Sequence, residues 1–367
     1  MNNKVITRQN WNQKNLEHSI LHTMRVSQIM LAKGFGGAER SFVDTALALA
    51  ERGHQVQAVC HKQFSKIHLL QDINNIQVET VSAGAEWDFI APRRIATKLR
   101  AFQAEIVHTQ LKRAAWHGSR AGKLAGIPVV AKLHNYVDLK RYRYVHTLFC
   151  TTQDQQKYVS KNGWPTDRVE VIPNFSRVRP IENVRNNWKS PIRILSYGRY
   201  VKKKGFDLLL RAFKSLLDAG VTAQLTIGGQ GEELAALESL AKELRIQDSV
   251  QLGVWIDDVT AALDDADLFV LPSLDEPFGI VMLEAMARGV PIISTRTKGP
   301  SEVLSEETAR LVEIGSVEAL AEAMINSVRN PDQALESANK ALECYRQNYY
   351  ESIVLPKIES QYRRIIR

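Results

Sequence analysis

Only three cysteines occur in the 367-residue chain, Cys60, Cys150 and Cys344, far apart and without metal-ligand spacing. That excludes a disulfide framework or a zinc site from the expectation and fits a reducing cytoplasm. No apolar run reaches the ~18–20 residues that a membrane span needs. The first 23 residues, MNNKVITRQNWNQKNLEHSILHT, lack the apolar centre of a signal peptide and are expected to form a polar tail, with regular structure starting near Met24. Acidic residues are scarce between positions 91 and 150, where Glu105 and Asp138 face twelve lysines and arginines. Such a field favours an anionic partner. Nucleic acid is not the expected one, because aromatic interleaving and basic helices are missing.

Short β-branched runs alternate with amphipathic segments. RVSQIM (25–30) precedes a helical stretch from Ala38 to Arg52, and QVQAVC (55–60), EIVHTQ (105–110), VVAKLH (129–134), TLFCTT (147–152) and VEVIPN (169–174) follow. The rhythm restarts with IRILSYGR (192–199), AQLTIGG (223–229), VQLGV (250–254), LFVLPS (268–273) and VPIIST (290–295), with helical stretches near 205–219, 231–245 and 279–288. This is the signature of α/β architecture, parallel sheets with helices on both faces. LAGIPVVA (124–131) and ARGVPIIS (287–294) use one device twice: a glycine closes a helix, a proline prevents its continuation, and a buried strand begins. The expected division is a tail (1–23), a first doubly wound domain (24–180), a linker (181–191), a second such domain (192–345) and a carboxyl-terminal helix (346–367) that packs on the first domain or caps the second.

Open α/β sheets bind ligands beyond the carboxyl ends of their strands, so the candidate residues are those in strand-end loops. AKGFGGAER (32–40) brings Gly36 and Gly37 to a helix start. This is a phosphate-friendly arrangement, although the spacing is neither a G-x-G-x-x-G fingerprint nor a P-loop. His108 and His134 end strands of the first domain. In SYGRYVKKKGFD (196–207), Arg199 and Lys204 form a cation pair suited to a diphosphate. EPFGIVMLEAMARGVPII (276–293) sets Glu284 in an apolar run, where an unpartnered carboxylate would cost on the order of ~3 kcal/mol or more. Glu284 must therefore pair with a basic residue or face a pocket and bind something. Glu276 and Glu284 beside a helix N-terminus suit the hydroxyls of a sugar nucleotide. Asp264, Asp265 and Asp267 read as a helix end entering a strand rather than as metal ligands.

Together these motifs resemble the E-x7-E signature of retaining glycosyltransferases of the GT-B fold, over roughly residues 24–367. The resemblance implies two Rossmann-like domains facing across a cleft. It implies a hexosyl transfer from UDP- or GDP-hexose as co-substrate, with no cofactor and no metal. Glu276 would bind the sugar hydroxyls and Glu284 the ribose. Backbone N–H groups of Phe278, Gly279, Ile280 and Val281 would hold sugar and phosphate, with Arg199 and Lys204 on the diphosphate. Gly229 and Trp255 would lie near the base, and Gly36 and Gly37 would approach from the opposite domain. His134 would stand by the reacting carbon, with His108 a weaker candidate and Gln110 where some members have a second histidine. The acceptor expected is a glycan or glycolipid, phosphorylated or membrane-embedded, as in lipopolysaccharide or other cell-envelope synthesis. Arg93, Arg94, Lys140, Arg141 and Arg143 would meet it or the anionic inner leaflet. A sugar-nucleotide epimerase, a phosphorylase or a basic binding protein are the alternatives.

Overall fold

The computed structural model describes residues 23–84, 87–185, 188 and 190–367. The expected tail, apart from Thr23, and residues 186, 187 and 189 of the expected linker lie outside them. The first domain carries β1 (Arg25–Met30), β2 (Gln55–His61), β3 (Ile76–Val81), β4 (Ile106–Gln110), β5 (Val129–Lys132), β6 (Thr147–Cys150) and β7 (Val169–Val171). These strands form one parallel sheet ordered β3-β2-β1-β4-β5-β6-β7. Helices α1 (Gly37–Glu51), α2 (Ile90–Phe102), α3 (Leu111–Ala125) and α4 (Gln153–Lys161) flank it. The second domain has β8 (Ile192–Tyr197), β9 (Ala223–Gly228), β10 (Val250–Val254), β11 (Leu268–Leu271), β12 (Ile292–Thr295) and β13 (Arg310–Val312). They are parallel in the order β10-β9-β8-β11-β12-β13. Its helices are α5 (Phe206–Asp218), α6 (Leu234–Glu243), α7 (Val259–Asp265), α8 (Ile280–Ala287), α9 (Lys298–Val303), α10 (Val317–Arg329) and α11 (Pro331–Asn348), and α12 (Glu351–Ile366) ends the chain.

Strand direction reverses its march at β1/β4 in one sheet and β8/β11 in the other, and these are the positions where loops splay apart to leave a crevice. The central strands are buried on both faces, which is why they open on apolar residues, and β4, β5 and β12 end in buried polar ones such as Gln110, Lys132 and Thr295. β3 is a half-exposed edge strand in which Gln77 and Glu79 dilute the apolar signal, and β13 has three residues; neither stood out in the sequence. The glycine–proline device is real at both places. Gly126 and Gly289 take the left-handed conformation (φ +74 and +62), and β5 and β12 begin shortly after Pro128 and Pro291.

The carboxyl-terminal helix, expected over 346–367, runs from Glu351 to Ile366 with Pro356 inside it, and residues 346–348 belong to α11. It packs on the first domain. Val354, Leu355, Ile358 and Tyr362 join Phe42, Val130 and Phe149 in one core cluster, each worth about 1.5–3 kcal/mol of burial. Glu359, also on α12, is almost wholly buried and takes hydrogen bonds from Arg52 (2.5 and 3.1 Å) and His54 (3.0 Å). His54 Nδ1 accepts the Met24 N–H, so its proton sits on Nε2 and points at the carboxylate. The segment between the domains is pinned rather than loose. Tyr345 donates to the carbonyls of Ser176 and Val178, Arg346 to those of Ile181 and Glu182, and Arg288 to that of Arg179.

Burial alone would raise the Glu359 carboxyl, but the bonds from His54 and Arg52 outweigh it and hold the group at about 2, below its ordinary 4.5. Its stabilisation is therefore complete above pH 4.5 and is lost as pH falls toward 2. Glu359→Gln is expected to destabilise the chain by about 2–4 kcal/mol at pH 7. The gap to wild type should narrow steadily below pH 4.5 in denaturant titrations.

Candidate active site between the two sheets

The strand-end loops of both domains enclose a cleft of about 1140 Å³. Gly36, Gly37, His134, Arg199, Lys204, Gly229, Trp255, Glu276, Phe278, Gly279, Ile280, Val281 and Glu284 all line it. Residues up to 248 positions apart thus meet because the two topological switch points face each other. The faces are close: a Cβ on Gly37 would come within 3.9 Å of Ile280 Cδ1.

Tight loop packing fixes the second-domain wall. Gly205 (φ +65) ends the short 202–204 turn, and a Cβ there would lie 2.2 Å from the Pro272 carbonyl oxygen. The loop after β8 is thereby pressed onto the loop after β11, and Lys204 reaches Glu276 in a mostly buried ion pair. Gly229 (φ +123) is as confined, since its Cβ would fall 1.9 Å from the Gly198 oxygen. Gly279 starts α8 in the left-handed region (φ +88), leaving the first N–H groups of that helix at the cleft. Arg199 is exposed and stretches toward Gly36 of the opposite domain.

Glu284 has both a partner and a pocket, so the alternative posed by the sequence dissolves. Tyr197 donates to Oε2 at 2.7 Å, and the Arg40 guanidinium lies 3.4 Å from Oε1 across the cleft. Burial raises the Glu284 carboxyl, with Arg40 and Tyr197 opposing the rise. Arg40 also binds Asp44 at 3.1–3.2 Å. Burial lifts Asp44 to about 6 despite Arg40, and Glu284 adds to the rise. Arg40, Asp44 and Tyr197 were not singled out from the sequence. Arg40 closes the GGAER motif whose glycines drew attention, so the signal was present.

His134 Nε2 lies 2.9 Å from Gln110 Oε1. A carbonyl oxygen only accepts, so the imidazole proton is on Nε2. Burial, reinforced by the nearby Lys132 charge, lowers His134 to about 3. It is a neutral imidazole, fit for hydrogen bonding rather than for acid catalysis at neutral pH. His108 is a correction: it does not reach the cleft. It sits in the core with Nδ1 2.5 Å from the Tyr362 hydroxyl, and its ring packs against Phe149. Asp264 is bound by Arg288 and Arg185, Asp265 by Arg193, and Asp267 accepts the Arg193 N–H. No His/Cys/Asp/Glu cluster able to hold a metal occurs among the described residues. Arg93, Arg94, Lys140 and Arg143 are exposed and Arg141 half-buried, on α2 and in the 138–143 segment of the first domain, outside the cleft lining.

Residues 179–343 match the family profile of glycosyl transferases group 1, and residues 35–178 match glycosyltransferase family 4. The lipopolysaccharide core biosynthesis glycosyltransferase LpsD of Rhizobium meliloti is 33% identical over 79% of this chain and 84% of its own length. LpsE of the same organism is 30% identical over 82% and 88%. The chain belongs to the group 1 glycosyltransferases. Its fold is GT-B. A glycosyltransferase from Rickettsia africae superposes with a TM-score of 0.80 at 18% identity, covering 94% of this chain and 99% of that one. HepE of Anabaena, solved with UDP and glucose, gives 0.79 at 17%, covering 93% and 100%. In this glycosyltransferase the cleft between the sheets is the candidate active site.

A depressed histidine destabilises the folded state as pH drops below 6.5, because the unfolded chain then binds the proton first. The 15N shifts of His134 are expected to stay those of the neutral Nε2–H tautomer down to pH 4. A titration midpoint near 6.5 would contradict the burial described here.

Proposed function

We propose that this glycosyltransferase moves a hexose from a UDP- or GDP-sugar to a saccharide or lipid-linked acceptor, with retention of anomeric configuration, in lipopolysaccharide core or related cell-envelope synthesis. One observation carries the reading: Lys204, Glu276, the α8 N-terminus and Glu284 converge on one wall of a cleft whose other wall holds Gly36, Gly37 and His134. The names of LpsD and LpsE support the biosynthetic context, and HepE with UDP and glucose supports the donor class.

In this reading the ribose hydroxyls donate to Glu284, which Tyr197 orients and whose charged form Arg40 favours against the burial that raises it. Glu276 accepts from the sugar hydroxyls. Lys204 has three N–H donors, so it can hold Glu276 and a phosphate oxygen together. Negative charge grows on the departing diphosphate, and Lys204, Arg199 and the α8 N–H groups stabilise it, an effect worth roughly 3–4 kcal/mol per well-placed donor. These groups supply the charge that a divalent ion would otherwise provide. The anomeric C–O bond to phosphate breaks, the acceptor oxygen bonds the same face of that carbon, and the acceptor proton passes to the leaving phosphate. His134, neutral and fixed by Gln110, hydrogen-bonds the sugar near the reacting carbon.

The acceptor side belongs to the first domain, where charge and apolar groups coincide. Trp87, Phe89 and Ile90 are 78, 69 and 57% exposed just ahead of Arg93 and Arg94. Aromatic and aliphatic groups that enter the headgroup region beside cations suit an anionic inner-leaflet surface. No described helix is long and apolar enough to cross a membrane.

A thermal-shift panel of nucleoside diphosphates and nucleotide sugars is expected to single out one nucleoside, through the stabilisation that any ligand specific to the folded state confers. Glu284→Ala should abolish that shift, and Lys204→Ala should lower kcat by about 10²–10³-fold. A panel without a hit on folded protein rejects the proposal. Flotation with anionic vesicles tests the acceptor side. Neutralising Arg93, Arg94, Lys140, Arg141 and Arg143 should release the protein, each cation being worth about 1 kcal/mol. Unchanged flotation removes the membrane surface from the reading.

A further inference from the structure

Helix α9 touches both walls of the cleft. On its own domain, the Gly299 N–H donates to the Glu276 carbonyl at 3.0 Å, and a Cβ at Gly299 would lie 2.3 Å from Phe278 Cα. α9 therefore rides directly on the loop that presents Glu276. One turn later Glu302 crosses to the first domain. Its carboxylate accepts the backbone N–H groups of Gln153 and Asp154 (3.1 Å for Asp154), the first two residues of α4. These are N–H groups that a helix leaves without internal partners, and they carry partial positive charge. A carboxylate satisfies both at once. Lys298 adds a second strand to the contact, with its ammonium 3.9 Å from the Tyr136 ring centroid and 3.8 Å from Asp154 Oδ2.

The first turn of α4 in turn holds the two residues that follow His134. Tyr136 donates its hydroxyl to Asp154, and Gln155 donates to the Asn135 carbonyl at 3.3 Å. Gln155 is itself fixed by the Thr151 N–H at 2.8 Å and by the Thr152 hydroxyl at 3.1 Å. A continuous chain of contacts thus runs from the Glu276 loop through Gly299 and Glu302 to α4, and on to the loop that carries His134. Other contacts span the cleft as well, Lys66 over the Trp255 ring at 4.9 Å and Arg40 with Glu284. Neither of them leads to the His134 loop.

We infer that Glu302 is a positioning residue for glycosyl transfer: by capping α4 from the opposite domain it sets the distance between His134 and the Glu276 loop in the closed cleft. Glu302 is exposed at the rim, so the clasp can form and release as the domains move without a large change in stability. The inference rests on the roles proposed above for His134 and Glu276, but one of its readouts does not. Hydrogen exchange of the Gln153 and Asp154 amides in the ligand-free protein is expected to speed up by about tenfold or more in Glu302→Ala, since those N–H groups lose their acceptor. Turnover is followed as nucleoside diphosphate release from the UDP- or GDP-sugar that shifts the melting temperature. There, Glu302→Ala should lower kcat by about 10–100-fold with donor KM within about twofold, the scale expected for a misplaced catalytic group. Glu302→Gln, isosteric but uncharged and with one oxygen acceptor instead of two, should behave like Glu302→Ala, and Glu302→Asp should recover part of kcat. Unchanged amide exchange overturns the inference, whatever the donor panel gives. A kcat like that of wild type overturns it, and so does a fall in kcat matched by a rise in KM and a loss of thermal stability. A donor panel without a hit rejects the proposed function and leaves the exchange result standing as a test of the clasp.

Discussion

A carboxylate withdrawn from water must find hydrogen bonds and opposite charge, and Glu284 finds them on two domains. Tyr197 reaches it from the end of β8, and Arg40 reaches it from the first turn of α1 across the cleft. Neither partner could serve alone. The phenol neutralises no charge, and the guanidinium at 3.4 Å is shared with Asp44. The carboxylate remains an acceptor aimed into the cleft because its supports come from the flanks and leave the cleft face open. Much of the site depends on this arrangement, since it ties the cleft-lining helix α8 to the glycine-rich turn of the other domain.

The polypeptide achieves this with loop compression more than with side-chain variety. Gly205, Gly229 and Gly299 each occupy a place where any side chain would strike a neighbouring backbone. The first two contacts join pairs of strand-end loops, and the third joins α9 to the loop after β11. As a result Lys204 meets Glu276, and α9 lies on the loop 276–278. The charged groups are then held by rigid backbone, which suits a reaction whose demand is electrostatic.

Beneath the first-domain wall lies a row of buried polar groups that supports the cleft without entering it. Lys132 is fully buried, bonds the Pro173 carbonyl at 3.1 Å, and is lowered by burial to about 7. His108 is driven well below its usual range by burial and by Lys132 and His134, and it anchors Tyr362 of α12. Through these contacts the end of the chain closes over the first sheet, and Glu359 adds an ionic fastening about one turn earlier on the same helix. Among the described residues, β1 and α12 both pack in the first domain while the second lies between them in sequence, so the two domains are joined by two crossings of the chain.

Local chemistry made much of this legible in the sequence. Parallel strands buried on both faces are mostly apolar, glycine and proline punctuate helix ends, and ligand-facing glycines and charges follow strands. The fold class, most strands and the strand-end glycines and charges at the cleft follow from those constraints, each of which acts within a few positions of the chain, whereas Trp255, Phe278, Ile280 and Val281 come from the family resemblance. Edge strands β3 and β13 escaped because half-exposure and brevity leave no periodic signal. Other features depend on which elements meet in space. His108 and His134 both end buried strands and look alike in sequence, yet packing of α12 seals one in the core and leaves the other at the cleft. Arg40 on Glu284 and Glu302 on the α4 N-terminus join residues 244 and 148–149 positions apart. Pairings of that kind carry no short-range pattern, because the attraction between the groups exists only once two separately formed sheets have been brought face to face.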